Sequence, residues 1–321
     1  MTKSNKTKNS PSLPYFDDYL LMLQTNNYSD KTIYNYERDL KVFEDYLKDN
    51  HLKFKNLKRK DIEQYKAYLT SIDRQTAEHD QGQKKLGSYS INRMLSSLRS
   101  YLKYIIDNEY HSPISPEMVK LTKTEKKHPR VAELEDLIKL IKAPTNFEKN
   151  KKVARRNRAM LEVMFSTGLR ISELVNLNRD QIDKTGKIFV MGKGKKERFV
   201  YLTPRAQDHL NKYLDIRTDD SPALFIPYRG QRASKHEKRI SINYLQDKIK
   251  HYRERLKINV PTSAHSLRHG FATYLAEQGA NPAAIQILLG HESLDTTTRY
   301  VHASDRYAEK TMKKFHPLKN K

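Results

Sequence analysis

Cysteine is absent from this chain, which removes disulfides, thiolate metal ligands and cysteine nucleophiles together. No long apolar run, signal-peptide pattern or amphipathic anchor occurs either, so the sequence predicts no membrane association and a cytoplasmic location. Acidic residues are in short supply: 38 Asp and Glu stand against 61 Lys and Arg, a formal net charge of +23. Such a field attracts a polyanion, and nucleic acid is the commonest one for a large basic protein. A solvated, solubilising surface is the alternative reading of the same charge.

What is present supports a folded protein. Hydrophobic content of 37% suffices for real cores, and 321 residues divide most naturally into two domains. Residues 1–12 are polar and basic and read as a disordered tail. Residues 13–119 read as an all-helical domain. Phe16, Tyr19, Leu20 and Leu23 share one helical face, and Ser29 or Asp30 caps a second helix carrying Ile33, Tyr36, Leu40, Phe43 and Leu47. A third helix begins near Asp61. The polar stretch Asp73 to Gly87 reads as a mobile loop, and Ser90 opens a fourth helix with Ile91, Met94, Leu95, Leu98, Leu102 and Ile105. Lys31, Arg93, Arg99 and Lys103 fall on polar faces and are candidate phosphate contacts. Residues 120–129, with Lys120, Lys123, Lys126 and Lys127, lack apolar periodicity and end in Pro129; they read as a basic linker, either along DNA or as a solvated tether.

Residues 130–321 read as a second domain, mainly helical with one small sheet. Helices are expected at about 132–142 and 152–166. Residues 187–202 alternate as two strands, with Ile188 and Val190 and then Phe199 and Tyr201 as the apolar positions. Helices resume from Pro204, Ser241, Leu267, Pro282, Asp295 and Ser304.

Several residues in this half suit chemistry at a phosphodiester. Phosphoryl transfer needs positioning and stabilisation of charge on phosphorus oxygens, and a guanidinium offers a planar fork of donors that stays ionised. Arg170 follows the helix break Thr167-Gly168 and precedes a short capped helix, Ser172-Glu173-Leu174. Arg268 is expected in the first turn of a helix, where free backbone N–H groups also favour an anion. His265 and His269, at i and i+4, could share a metal. However, Ser266 stands where a metalloprotease helix carries Glu, and Arg268 lies beside them, so a dication is disfavoured. No metal and no cofactor are expected. His265 reads as a hydrogen-bond or proton-transfer partner, and His269 as a structural residue beneath it. Gly192-Lys193-Gly194 makes a hairpin loop with lysine at its tip, and its glycine spacing does not fit a nucleotide loop. His291 follows Gly290, the natural stop of the helix begun at Asn281-Pro282. Nine positions later, Tyr300 can sit on a helix capped by Asp295, where a tyrosine could form a covalent phosphoester.

In order, type and local context, Arg170, Lys193, His265, Arg268, His291 and Tyr300 resemble the catalytic set of the tyrosine recombinases. The segments Thr167-Gly168-Leu169-Arg170-Ile171-Ser172-Glu173-Leu174, His265-Ser266-Leu267-Arg268-His269 and Leu289-Gly290-His291 are most similar to Xer-type members. The resemblance covers essentially the whole chain. It implies a SAM-like helical core-binding domain followed by a catalytic domain, both clamping double-stranded DNA at specific sites. It further implies attack by Tyr300 to leave a 3′-phosphotyrosyl link, with Arg170, Arg268 and His291 stabilising charge. His265 would serve as acid/base, Lys193 would protonate the 5′-oxygen and Glu173 would orient its neighbours, without ATP or metal. Xer-type members act in chromosome or plasmid dimer resolution as homo- or hetero-tetramers on two sites. A second recombinase or a DNA translocase can be a partner, and the C-terminal segment docks on the next protomer. Here Ser304–Phe315, with Tyr307, Ala308, Thr311 and Met312, could form that helix, or pack in cis. A mobile-element integrase, a type IB topoisomerase-like enzyme and a non-enzymatic DNA-binding protein are the competing readings.

Overall fold

The computed structural model describes residues 13–71, 85–124, 132–192, 197–231, 233–234 and 238–290. They form two units that divide at 127/128. Among the described residues no helix is long and apolar enough to cross a membrane.

The first unit holds α1 (Phe16–Thr25), α2 (Asp30–Asp49), α3 (Arg59–Thr70) and α4 (Ser88–Asp107). Ser29 caps α2 by accepting from the Thr32 N–H, and Asp61 accepts from the Lys58 N–H to open α3. Helix α4 starts two residues before the expected Ser90, behind Gly87. Its apolar stripe and that of α2 meet the first helix in one core built on Tyr19, Leu40, Phe43, Tyr65, Leu98 and Tyr101, all essentially inaccessible to solvent. Each such side chain contributes about 2 kcal/mol of burial. Part of the expected linker also belongs to this unit. The side-chain amide of Asn92 on α4 accepts from the N–H of Thr122 at 2.8 Å and donates to its carbonyl at 2.9 Å.

One candidate DNA contact has a partner of its own. Arg93 on α4 is ion-paired to Asp39 of α2, whose carboxylate is buried and also accepts from Ser97 at 3.1 Å. Burial raises the pKa of Asp39, and Arg93 opposes that shift. Lys31, Lys103 and Lys123 are exposed and Arg99 is half-buried; Arg99 and Lys103 stand one turn apart on α4. Lys126 and Lys127 lie outside the described residues, as do positions 73–84 of the polar stretch.

The second unit contains α5 (Leu134–Phe147), α6 (Lys151–Thr167), α7 (Ile171–Asn176), β1 (Lys187–Met191), β2 (Glu197–Tyr201), α8 (Pro204–Leu214), α9 (Ile242–Arg255), α10 (Ala264–Glu277) and α11 (Pro282–Leu289). Helix α6 is central: it packs against α5, α8 and α10 and is buried on nearly every side from Ala159 to Met164. The strands form an antiparallel hairpin in which Ile188 faces Val200 and Val190 faces Arg198.

That register corrects the expected phase of β2. Phe199 and Tyr201 point outward and are 44% and 56% exposed, while Arg198 and Val200 point inward. A one-residue shift reverses every side chain of a strand, and apolar type alone misled the assignment. Outside, Phe199 packs on Phe189 and lies under the Lys187 ammonium, which gives an exposed aromatic adequate partners. Inside, the charge of Arg198 requires a counter-charge, which leads to the site.

Candidate active site

Helix α6 ends at Gly168, whose φ of 64° places it in the left-handed region. A Cβ there would meet the Phe271 ring at 2.5 Å, so glycine is required by conformation and by space. The chain turns at once into α7, with Arg170 at its N-cap in extended conformation. Glu173, in the first turn of α7, accepts the Arg170 N–H at 2.8 Å and its Nη1 at 2.9 Å. The short capped helix expected at Ser172-Glu173-Leu174 is therefore present, and it fixes the base of the Arg170 side chain.

Helix α10 begins earlier than expected. Ser263 and Ser266 cap each other's backbone N–H groups, which starts the helix at Ala264 rather than Leu267. Consequently His265 occupies the first turn, and Arg268 stands in the second, away from the free N–H groups. Arg268 is 3% exposed. Its Nη1 donates to the carbonyl of Gly168 at 2.7 Å, and its Nη2 to the carbonyl of Leu289 at 2.6 Å.

Helix α11 opens with Asn281 as cap and Pro282 at its first position, and stops at Gly290 with φ 63°, as the sequence predicts. A helix leaves its last carbonyls without intrahelical partners and its end partially negative. Here three consecutive carbonyls are each met by a different guanidinium. Leu288 accepts from Arg198 Nε at 2.9 Å, Leu289 from Arg268, and Gly290 from Arg170 Nη2 at 3.2 Å. Glu173 joins two of these arginines, because Arg198 donates Nη1 and Nη2 to its two oxygens at 3.0 and 2.7 Å. Burial pushes the Glu173 carboxyl up, but the bonds and charge of Arg198 and the bonds from Arg170 outweigh it, leaving the pKa below the ordinary glutamate value. Glu173 is thus a fixed anion between two cations.

The two histidines of α10 touch: their Nε2 atoms are 2.9 Å apart and the rings meet edge to face. Desolvation, then the charges of Arg268 and Arg170, lower the pKa of His265. Desolvation, then His265 and Arg268, take His269 down to about 4. Both rings are neutral near pH 7, and one N–H can be shared between them. Among the described residues no group of three or more His, Cys, Asp or Glu is placed to hold a metal ion.

Arg170, Glu173, His265, Arg268 and His269, distant in sequence, are therefore gathered around the α6–α7 corner and the end of α11. Lys193, His291 and Tyr300 lie outside the described residues, as does the segment Ser304–Phe315. The sequence reading did not single out Arg198. Its signal was the inward phase set by Ile188 and Val190, which carries across the hairpin to Arg198 and Val200.

Comparison with known proteins agrees with this architecture. Residues 130–306 match the phage integrase family, and residues 16–109 match the phage integrase, N-terminal SAM-like domain. The chain is 32% identical over 315 residues to tyrosine recombinase XerD of Staphylococcus epidermidis, covering 94% of this chain and 98% of the relative. It is 30% identical, with the same coverage, to tyrosine recombinase XerD of Staphylococcus aureus. In fold it resembles the XerH site-specific recombinase bound to palindromic difH substrate in a post-cleavage complex. That match has a TM-score of 0.69 and 22% identity, over 88% of this chain and 79% of that one. A lambda integrase dimer bound to a COC′ core site matches with a TM-score of 0.68 and 17% identity, over 90% of this chain and 76% of that one. With a family match over more than half its length and near full-length relatives, the chain belongs to the tyrosine recombinases, enzymes that break and rejoin DNA strands.

Proposed function

We propose that the protein is a site-specific recombinase of the Xer type, acting through a phosphotyrosine on Tyr300. The observation that carries this reading is the convergence of Arg268 and of Arg170, itself held by Glu173, on the last carbonyls of α11, directly before His291 and close in sequence to Tyr300. In this reading the phenol oxygen of Tyr300 bonds to phosphorus while the bond to the 5′-oxygen breaks. The phenol proton passes to His265, whose lowered pKa keeps it in the accepting form. Lys193 gives a proton to the departing 5′-oxygen. Arg170, Arg268 and His291 offset charge on the non-bridging oxygens, and Glu173 keeps Arg170 aimed. Because the bond energy stays in the phosphotyrosine, neither ATP nor a metal is needed.

The first unit is assigned as the core-binding domain and the second as the catalytic domain, with DNA held by the basic faces of both. Near full-length likeness to the staphylococcal XerD proteins favours dimer resolution of chromosomes or plasmids, in a tetramer on two sites. An apolar groove of about 360 Å³ between α5, α6 and α10, lined by Leu134, Ile138, Ile141, Phe165, Phe271 and Leu275, would suit Ser304–Phe315 of a neighbouring copy.

The decisive experiment uses a suicide substrate nicked beside the cleavage point, with excess EDTA in a parallel arm. Wild type is expected to form a DNA adduct on a denaturing gel in both arms, and Tyr300→Phe to bind DNA without forming it. An adduct formed by the Phe variant overturns the nucleophile assignment, and loss of the wild-type adduct on chelation overturns the metal-free chemistry. Sequencing the trapped DNA distinguishes a resolution site from the ends of a mobile element.

A further inference from the structure

Arg198 has no role in the reading above, yet it is among the most tightly held side chains of the second unit. It occupies an inward position of β2, opposite Val190, where a small sheet ordinarily places an apolar residue. Its side chain is 6% exposed and that of Glu173 7%. Exchanging a buried ion pair for well-packed apolar groups is often neutral or stabilising, so stability alone does not account for the pair.

Its geometry does. All three guanidinium nitrogens are committed: Nε to the carbonyl of Leu288, Nη1 and Nη2 to the two oxygens of Glu173. The same Glu173 oxygens hold Arg170 by its backbone N–H and its Nη1. Gly290 lies close against the Arg198 side chain. A Cβ there would come within 3.1 Å of its Cδ and 3.2 Å of its Nη1. The β-hairpin, the start of α7 and the end of α11 therefore meet at one planar group.

We propose that Arg198 is a positioning residue of the active site: by locking both Glu173 oxygens and the Leu288 carbonyl, it sets the direction of Arg170 and the position of the end of α11. Arg198 itself does not touch the phosphate. The proposal rests on the assignment of Arg170 to the scissile phosphate. A lysine at 198 would keep the charge but has no fork, so it could not hold both Glu173 oxygens and the carbonyl in one plane.

The test compares wild type, Arg198→Lys and Arg198→Met in the full-length protein. DNA affinity by gel shift, the melting midpoint, and single-turnover adduct formation on a suicide substrate are measured side by side. Both variants are expected to bind DNA within about threefold of wild type and to form adduct roughly 100-fold more slowly, since misplacement by about 1 Å costs on that order. A second substrate carries a methylphosphonate at the scissile position, which removes one charged oxygen and with it part of the demand on Arg170. There the deficit of both variants relative to wild type should shrink at least tenfold. Full-rate cleavage by Arg198→Lys would show that charge alone suffices and overturn the proposal. A deficit of equal size on both substrates, or one that only follows lost binding or a lowered melting point, would make Arg198 a scaffold residue and overturn it as well. Should Arg198→Met fail to fold, the lysine variant decides alone. Wild type that forms no tyrosine-linked adduct refutes the functional reading itself, an outcome distinct from normal adduct in all three proteins, which refutes only the role of Arg198.

Discussion

The guanidinium of Arg268 reaches back 100 residues to the carbonyl of Gly168 at 2.7 Å, closing the corner between α6 and α7 against α10. The other end of the same guanidinium holds Leu289. A residue assigned to the phosphate thus also fastens the elements that aim Arg170 and lead to His291, and the corner cannot shift without moving both arginines.

Gly168→Ala is expected to test that coupling. A left-handed alanine costs about 1–3 kcal/mol, and displacing the Phe271 ring adds about 1 kcal/mol or more. The variant should melt several degrees lower while its cleavage rate falls further than its DNA affinity. Equal losses in binding and cleavage would show that the corner supports the fold only.

Acid should weaken the second unit through His269. Its folded pKa, about 4, lies below the ordinary 6.5 because of desolvation, then His265 and Arg268. A depressed folded pKa means that the unfolded chain takes up the proton first as pH falls. This stabilising contribution is therefore complete above about pH 6.5, declines below it, and is gone near pH 4. After partial solvent screening it amounts to something on the order of 2 kcal/mol. Urea unfolding of wild type and His269→Gln at about pH 7.5 and about pH 4.5 should give a smaller difference between the two pH values for the variant. Identical pH dependence would contradict the assigned shift.

Much of this site was legible in the sequence because its markers are local. Gly168 and Gly290 announce helix ends by conformation, and Asn281-Pro282 announces a start. The i, i+4 spacing of His265 and His269 puts them on one helix face, where their rings touch. What could not be read depends on the third dimension. The reciprocal Ser263–Ser266 cap moved the start of α10 and took Arg268 out of the first turn. Arg198 was hidden because its burial is stabilised by Glu173, which precedes it by 25 residues, whereas the aromatic residues beside it look more suited to a core. Arg93 shows the converse: a basic residue on a helix face that reads as a phosphate contact, yet is joined to buried Asp39.

The basic side chains of the first unit should consequently separate in a salt titration. Lys31→Ala and Lys103→Ala, both at exposed positions, are expected to reduce the slope of log affinity against log salt by about 1 each wherever the side chain neutralises a phosphate. Arg93→Ala should instead lower stability by about 1–3 kcal/mol, because buried Asp39 would lose its nearest charged partner and keep only Arg38, at 4.0 Å. Affinities measured across a salt series, with a melting curve for each variant, check both outcomes. A change in slope for Arg93→Ala at unchanged stability would return it to the DNA-contact set.

Truncation after Val301 is expected to leave DNA binding by single protomers intact while removing cooperative assembly and most recombination. The groove between α5, α6 and α10 is lined mainly by apolar and aromatic side chains, with Glu162 and Arg205 among its few charged groups. Tyr307, Ala308, Thr311 and Met312 follow one another at helical spacing and would present one small apolar stripe to such a groove. Docked on a neighbour, that stripe would couple the position of one Tyr300 to the next subunit, so that only some sites fire together and double-strand breaks are avoided. A two-site synapsis assay beside single-site gel shifts separates the possibilities. Phe165→Glu in the groove should reproduce the assembly defect in the full-length chain, with single-site binding unchanged. If the truncated protein still forms tetramers and recombines normally, the segment packs on its own protomer and the groove serves another purpose.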